Sequence, residues 1–154
     1  MQLSNRHTIL CPIALVFVFF ATIALPCRAD DIDDAKKAAE AFMSCLDNEN
    51  TQCAFRLIGE QWTRSSPKTE IMMSLQRWIA TKGGAASSRE IVMQRALTED
   101  QARAAWPTTT AKGNVYVFRY RSKYPGGVFF EDIYVNRESD GILRIEGDNP
   151  QPAS

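Results

Sequence analysis

Cysteine, histidine and the pairing of carboxylates with phenols decide what chemistry this chain can run. Cys45 and Cys53 stand in FMSCLDNENTQCAFRL, residues 42–57, with seven mostly polar residues between them. Such a pair can hold a metal, cycle as a redox couple, supply a nucleophile or close a staple. The other two cysteines, Cys11 and Cys27, and the one histidine, His7, all lie before Arg28. If that segment is a removed leader, the remainder has no imidazole and two thiols. Histidine triads, Cys-His pairs and imidazole zinc sites are then impossible within one chain. Two thiolates alone do not complete a tetrahedral site. A redox role more typically shows C-x-x-C spacing, which is absent. No metal and no cofactor is expected.

The leader reading rests on the first residues. MQLSNRHT carries Arg6 and the amino terminus as fixed positive charges, and residues 9–25, ILCPIALVFVFFATIAL, carry none. LPCRADD then turns abruptly polar, with small residues Cys27 and Ala29 at the third and first places before Asp30. This is the pattern of a secretory signal peptide over residues 1–29, cleaved after Ala29. An uncleaved membrane anchor is the competing reading, since seventeen apolar residues just reach across a bilayer. A lipid-anchored Cys27 fits less well, because Pro26 precedes it. Cleavage removes Arg6 and Arg28, so 16 of the 18 basic residues face 18 acidic ones. A net charge near −2 gives no global basicity for nucleic acid or an anionic membrane. The expected location is the periplasm or the exterior, without membrane attachment once the leader is gone.

The cysteines lie where two helices meet. In DDIDDAKKAAEAFMSCL, residues Ile32, Ala35, Ala38, Ala39, Phe42, Met43 and Leu46 form one stripe at three- and four-residue steps. Asp30, Asp31, Asp33 and Asp34 suit the helix N-terminus. DNENT, residues 47–51, is turn chemistry, and a short helix restarts near Thr51 or Gln52. Cys45 then falls in the last turn of one helix and Cys53 in the first turn of the next. A tight hairpin of helices brings such turns together, and exported cysteines usually pair. A structural disulfide Cys45–Cys53 is expected, worth about 2–3 kcal/mol on the loop-entropy model.

A further helix follows in KTEIMMSLQRWIATK, with Ser66 as N-cap, Pro67 at the first position and Gly83-Gly84 as the stop. Its stripe of Ile71, Met72, Leu75, Trp78 and Ile79 reads as core rather than as a ligand box. REIVMQRAL, residues 89–97, alternates as a strand, placing Ile91, Met93 and Arg95 on one face. TEDQARAAW, residues 98–106, supports either a helix, through a Thr98–Gln101 capping box, or a bulged strand. Trp62 and Trp106 each flank a loop, and their surroundings are open. GNVYVFRYRSKYPGGVFFEDIYVN is a hairpin around YPGG, and Asp140-Gly141 turns the chain into a last strand, ILRIE. The expected fold is α+β: N-terminal helices packed on a curved antiparallel sheet of about four strands, as a single domain over residues 30–148. Residues 149–154 are expected to be a flexible tail.

A three-residue hairpin loop, Pro125-Gly126-Gly127, pairs Tyr124 with Val128 and Tyr120 with Asp132. Tyr116, Phe118, Tyr120, Phe130, Asp132 and Tyr134 then share a face, opposite Arg119, Arg121 and Lys123. A two-residue loop instead opposes Arg121 to Phe130. On the first register Asp132 among Tyr116, Tyr120 and Tyr134 resembles a proton-abstracting site. Burial raises the carboxyl pKa, and a phenol donates to a developing oxyanion. Arg119, Arg121 and Lys123 form a basic stripe able to meet an acidic partner, or simply a solvated edge.

Over roughly residues 35–148 the chain resembles the exported bacterial family catalogued as domain of unknown function 4019. The resemblance rests on Asp47, Phe55, Gly84 through Arg89 and Glu90, Gly113, Tyr116 and Glu131, with Asp140, Gly141, Arg144 and Gly147 closing the pattern. Leu143 and Asp148 stand where the family tends to have Trp and Tyr. The resemblance implies a domain like the nuclear-transport-factor-2-like, or cystatin-like, folds, in which the sheet wraps around helices and can leave a conical pocket. It brings no activity with it. The function expected is that of a small exported, non-catalytic binding or accessory domain for a small molecule or an envelope protein. The alternatives are an isomerase-like enzyme built on Asp132 and the tyrosines, and an inhibitor or immunity-type protein acting through the basic stripe.

Overall fold

The computed structural model describes residues 29–153. The apolar run at 9–25, with His7, Cys11 and Cys27, lies outside the described residues. Four helices come first: α1 (Ala29–Asp47), α2 (Thr51–Arg56), α3 (Glu60–Ser65) and α4 (Lys68–Lys82). Strand β1 (Ser88–Leu97) and helix α5 (Glu99–Ala105) lead into β2 (Val115–Tyr124), β3 (Gly127–Arg137) and β4 (Leu143–Pro152). The strands form one antiparallel meander in the order β1-β2-β3-β4. The fold is α+β. No helix among the described residues is long and apolar enough to cross a membrane.

The stripe on α1 becomes the core. Ala35, Ala39, Phe42, Met43 and Leu46 are buried against Tyr116, Phe118 and Tyr120 of β2, Ile133 and Val135 of β3, and Ile145 of β4. We call this the inner face of the sheet. Each large apolar side chain buried there contributes about 1.5–3 kcal/mol. The chain reverses after α1 through Glu49, whose φ of 55° is left-handed, and Asn50 caps α2 by accepting from Cys53 N at 2.9 Å. That reversal brings the Cα atoms of Cys45 and Cys53 to 5.5 Å, and the two are disulfide-bonded.

The outer face is only partly covered. Helix α5 and the segment 106–114 bury Ala102 and Ala111 on Val115 and Val117, with Met93, Leu97, Trp106 and Tyr134 around them. Helix α5 carries the Thr98–Gln101 capping box, which decides the ambiguous stretch in favour of helix.

Five local expectations are corrected. The hairpin loop has two residues, not three, so Tyr124 pairs with Gly127, Arg121 with Phe130 and Arg119 with Asp132. Tertiary docking explains it: Gly126 N donates to Lys82 O at 2.8 Å, and a side chain at Gly126 would collide with the carbonyls of Thr81 and Lys82. In β1 a bulge leaves Val92 unpaired, so Ile91 faces inward while Met93 and Arg95 face outward. At the start of α4 the capping position falls on Pro67 rather than Ser66, and α3 is a helix that the periodicity did not show. Strand β4 runs on through Pro152, so residues 149–152 pair with Phe129–Asp132 rather than forming a loose tail. Ala153 N donates to Val128 O at 2.8 Å. By the two-residue alternation of the ladder, Pro150 and Pro152 occupy positions whose missing N–H would point outward, where an edge strand tolerates proline.

Candidate functional site

Ionisable groups converge at two places. The first is buried beneath the C-terminus of α4. Lys82 ends the apolar stripe of that helix, and its Nζ lies 2.9 Å from Glu131 Oε1, with the side chains 1% and 0% exposed. The ammonium also sits over the rings of Trp78 and Tyr124, at 4.5 and 4.6 Å. Glu131 further accepts from Tyr124 Oη at 2.9 and 3.0 Å and from the Ser122 hydroxyl. Arg89 on β1 donates to Ser122 Oγ at 3.2 Å and to Tyr124 Oη at 2.6 Å, and grips both oxygens of Asp47 at 3.0 and 3.1 Å. Burial pulls the Arg89 pKa down, but Asp47, Tyr124 and Glu131 outweigh it and hold the guanidinium charged. Burial, with Glu131 beside it, pushes the Tyr124 phenol upward, so it stays protonated and donates. This network ties α1, α4, β1, β2 and β3 together. Glu131, Ser122, Tyr124, Arg89 and Asp47 spend their bonds on one another, and none of them lines the outer-face groove.

The structure does not assemble the sequence-derived acid–phenol set. The two-residue hairpin puts Tyr116 and Tyr120 on the inner face and Asp132 and Tyr134 on the outer face. Both oxygens of Asp132 are held by Arg119, at 2.6 Å each. Arg119, Arg121 and Lys123 do share the outer face, but Arg119 is engaged by Asp132, leaving Arg121 and Lys123 as its exposed pair. The inner face, where a conical pocket was expected, is filled by the α1 core.

The second convergence lines an open groove at the outer face, between α3, segment 106–114 and the β4 edge. It has two lobes of about 240 and 220 Å³ that share Gln61, Ala111 and Glu146. A bulge builds it. Tyr134 pairs with Gly147 and Val135 with Ile145, leaving Glu146 unpaired in the ladder and aimed at the start of α3. Residues 57–59 lie alongside β4: Ile145 N donates to Leu57 O at 2.9 Å, and Gly59 N to Ile145 O at 2.8 Å. A Cβ at Gly59 would meet the carboxylate ends of Glu146 and Glu138, so the bare glycine lets both acids lie close against the backbone there. Gln61 N donates to Glu146 Oε2 at 3.2 Å. Burial, reinforced by the neighbouring charge of Glu138, pushes the Glu146 carboxyl up to about 7.

No family model, curated protein or solved structure matches this chain. The groove must therefore be read from its own chemistry. Its aromatic wall is Trp106 against Tyr134, ring centroids 4.8 Å apart and nearly perpendicular. Gly147 makes room for that wall, since a Cβ would press on Tyr134 Cδ2 at 3.2 Å. Gln61 Oε1 accepts from Thr109 Oγ1 at 2.9 Å and Thr110 N at 3.3 Å, which pins the segment 106–114 and leaves the amide Nε2 free to donate. Asn136 Nδ2 holds the same segment through Lys112 O and Asn114 O, at 3.0 and 2.9 Å. A half-buried acid, an amide donor and an aromatic wall are the ingredients of a small-molecule site.

Sequence reading missed Gln61, Glu138 and Glu146. The one available signal was Glu146 itself, the acid that closes the short ILRIE run read as the last strand. Of the two uncertain tryptophans, Trp62 packs at the core margin, 6.5 Å from Phe42, and Trp106 lines the groove.

Proposed function

We propose that this chain is a small exported binding or accessory domain that holds a small molecule in the groove between α3, the 106–114 segment and β4. The carrying observation is Glu146: a strand bulge aims it, two adjoining lobes share it, and an aromatic pair stands beside it. Export is supported by the Cys45–Cys53 disulfide together with the leader-like first residues. A non-catalytic role is supported by what the candidate groups are engaged in. Both cysteines are in a disulfide, and Asp132 is clamped by Arg119 away from Tyr116 and Tyr120. On this reading the domain belongs with the exported family of domain of unknown function 4019 and is of nuclear-transport-factor-2-like type, with its ligand on the outer rather than the inner face.

The test is native mass spectrometry on protein taken from the envelope fraction of an expressing cell, wild type beside Trp106→Ala. The expected result is a chain starting at Asp30 that carries a small non-covalent adduct, with the adduct lost in the variant. An uncleaved cytosolic chain, or identical adducts in both proteins, would reject the reading.

A further inference from the structure

Glu146 differs from the other acids around it in having no cation. Among the described residues, Arg64 pairs with Glu60, Arg137 with Asp31, and Arg144 with both Glu138 and Asp140. Lys112, exposed at the rim, makes no ion pair with a described residue. Glu146 instead adjoins Glu138, and two carboxylates side by side destabilise each other's charge. A positive group entering the groove relieves that repulsion, whereas an anion adds to it. The neighbouring aromatic faces of Trp106 and Tyr134 also attract a cation through their quadrupoles.

Resting on the binding reading above, we propose that the ligand is a small organic ammonium, with its charged nitrogen on Glu146 and its apolar body against the Trp106–Tyr134 pair. The size of the site limits the class. The lobe with the aromatic pair, about 220 Å³, holds a monoamine with a single ring or a short chain. The free amide donor of Gln61 serves a hydroxyl or carbonyl on the ligand body.

The test is a two-dimensional amide NMR titration of the purified protein with three matched probes: 2-phenylethylamine, 2-phenylethanol and 3-phenylpropionate. The amine is expected to shift the Gln61, Gly147 and Trp106 indole resonances saturably, and the other two to leave them in place. Glu146→Gln should weaken the amine by about tenfold or more, as expected for a lost charge-assisted hydrogen bond, while its spectrum reports an intact fold. Lys112→Ala should leave the amine's affinity unchanged or stronger. Binding of the alcohol or the carboxylate at the same resonances, equal to the amine's, overturns the ammonium assignment and leaves the groove standing. Silence from all three probes overturns both. An amine affinity indifferent to Glu146→Gln also overturns the assignment.

Discussion

Lys82 Nζ lies 2.9 Å from Glu131 Oε1, and neither side chain has appreciable contact with solvent. The pair joins the last turn of α4 to the middle of β3, beneath the hairpin that docks on the same helix end. Two charges buried this deeply are tolerated only because Ser122, Tyr124 and the aromatic rings complete their surroundings.

Removing one partner should therefore cost more than removing an ordinary surface charge. Lys82→Ala is expected to destabilise by about 3–5 kcal/mol, because buried Glu131 loses its nearest cation and keeps only Arg89, at 3.7 Å. Lys82→Met combined with Glu131→Leu should recover only part of that loss, since Ser122, Tyr124 and Arg89 then lose an acceptor. Urea unfolding of the three proteins measures both effects. A cost below about 1 kcal/mol for Lys82→Ala would place the pair among weak surface interactions.

Stability should fall as pH rises from about 4 to 7. Burial raises both Glu146 and Asp148 to about 7; for Asp148, nearby Lys82 opposes the shift, while Glu131 and Asp132 add to it. The folded protein then keeps protons that the unfolded chain has already released, so the stabilisation is full below the unfolded pKa values and is gone above 7. Asp140 acts with the opposite sign. It is lowered to about 2, by Arg144 first and the Ile142 amide second, so its contribution is lost only in stronger acid. Thermal midpoints of wild type should drop by a few degrees across this window, and Glu146→Gln with Asp148→Asn should flatten the slope. A midpoint that climbs between pH 4 and 7 contradicts the assignment.

The Cys45–Cys53 bridge closes a separation of eight residues in sequence. Cys45→Ser with Cys53→Ser should lose about 2–3 kcal/mol by the loop-entropy relation while retaining the fold, because the helix stripe and sheet face remain. Far-ultraviolet circular dichroism should be unchanged and the urea midpoint lower. Loss of all secondary structure would show that the bridge supports far more than one turn.

Gly126→Ala should destabilise by about 1–3 kcal/mol, since the new methyl meets the backbone carbonyls of Thr81 and Lys82 rather than a movable side chain. Gly113→Ala is the control for backbone strain alone: φ is 75° there, and nothing lies within 4 Å of the added carbon. Equal costs at the two positions would remove the docking of the hairpin on α4 as the reason for its tight turn.

Local patterns determined much of this protein. The α1 stripe, the disulfide between adjoining helix turns, the Thr98–Gln101 capping box and the order of helices before strands all follow from residue type and short spacing. Such features depend on neighbours a few positions away, and their physics is the same before and after folding. Register was another matter. Whether Asp132 faces Tyr120 or the opposite side turned on one residue in the hairpin loop, and α4, which ends 44 residues before Gly126, settled it by packing against that glycine. The bulges at Val92 and Glu146 each reverse a face that alternation alone assigns differently. Asp47, Arg89 and Glu131 carry no pattern together in sequence, yet they meet beside Lys82 because four elements close around one buried charge. Glu146 gained its neighbours the same way. A period of two or of 3.6 reports which way a side chain points, whereas which groups meet there depends on long-range packing that no local spacing encodes.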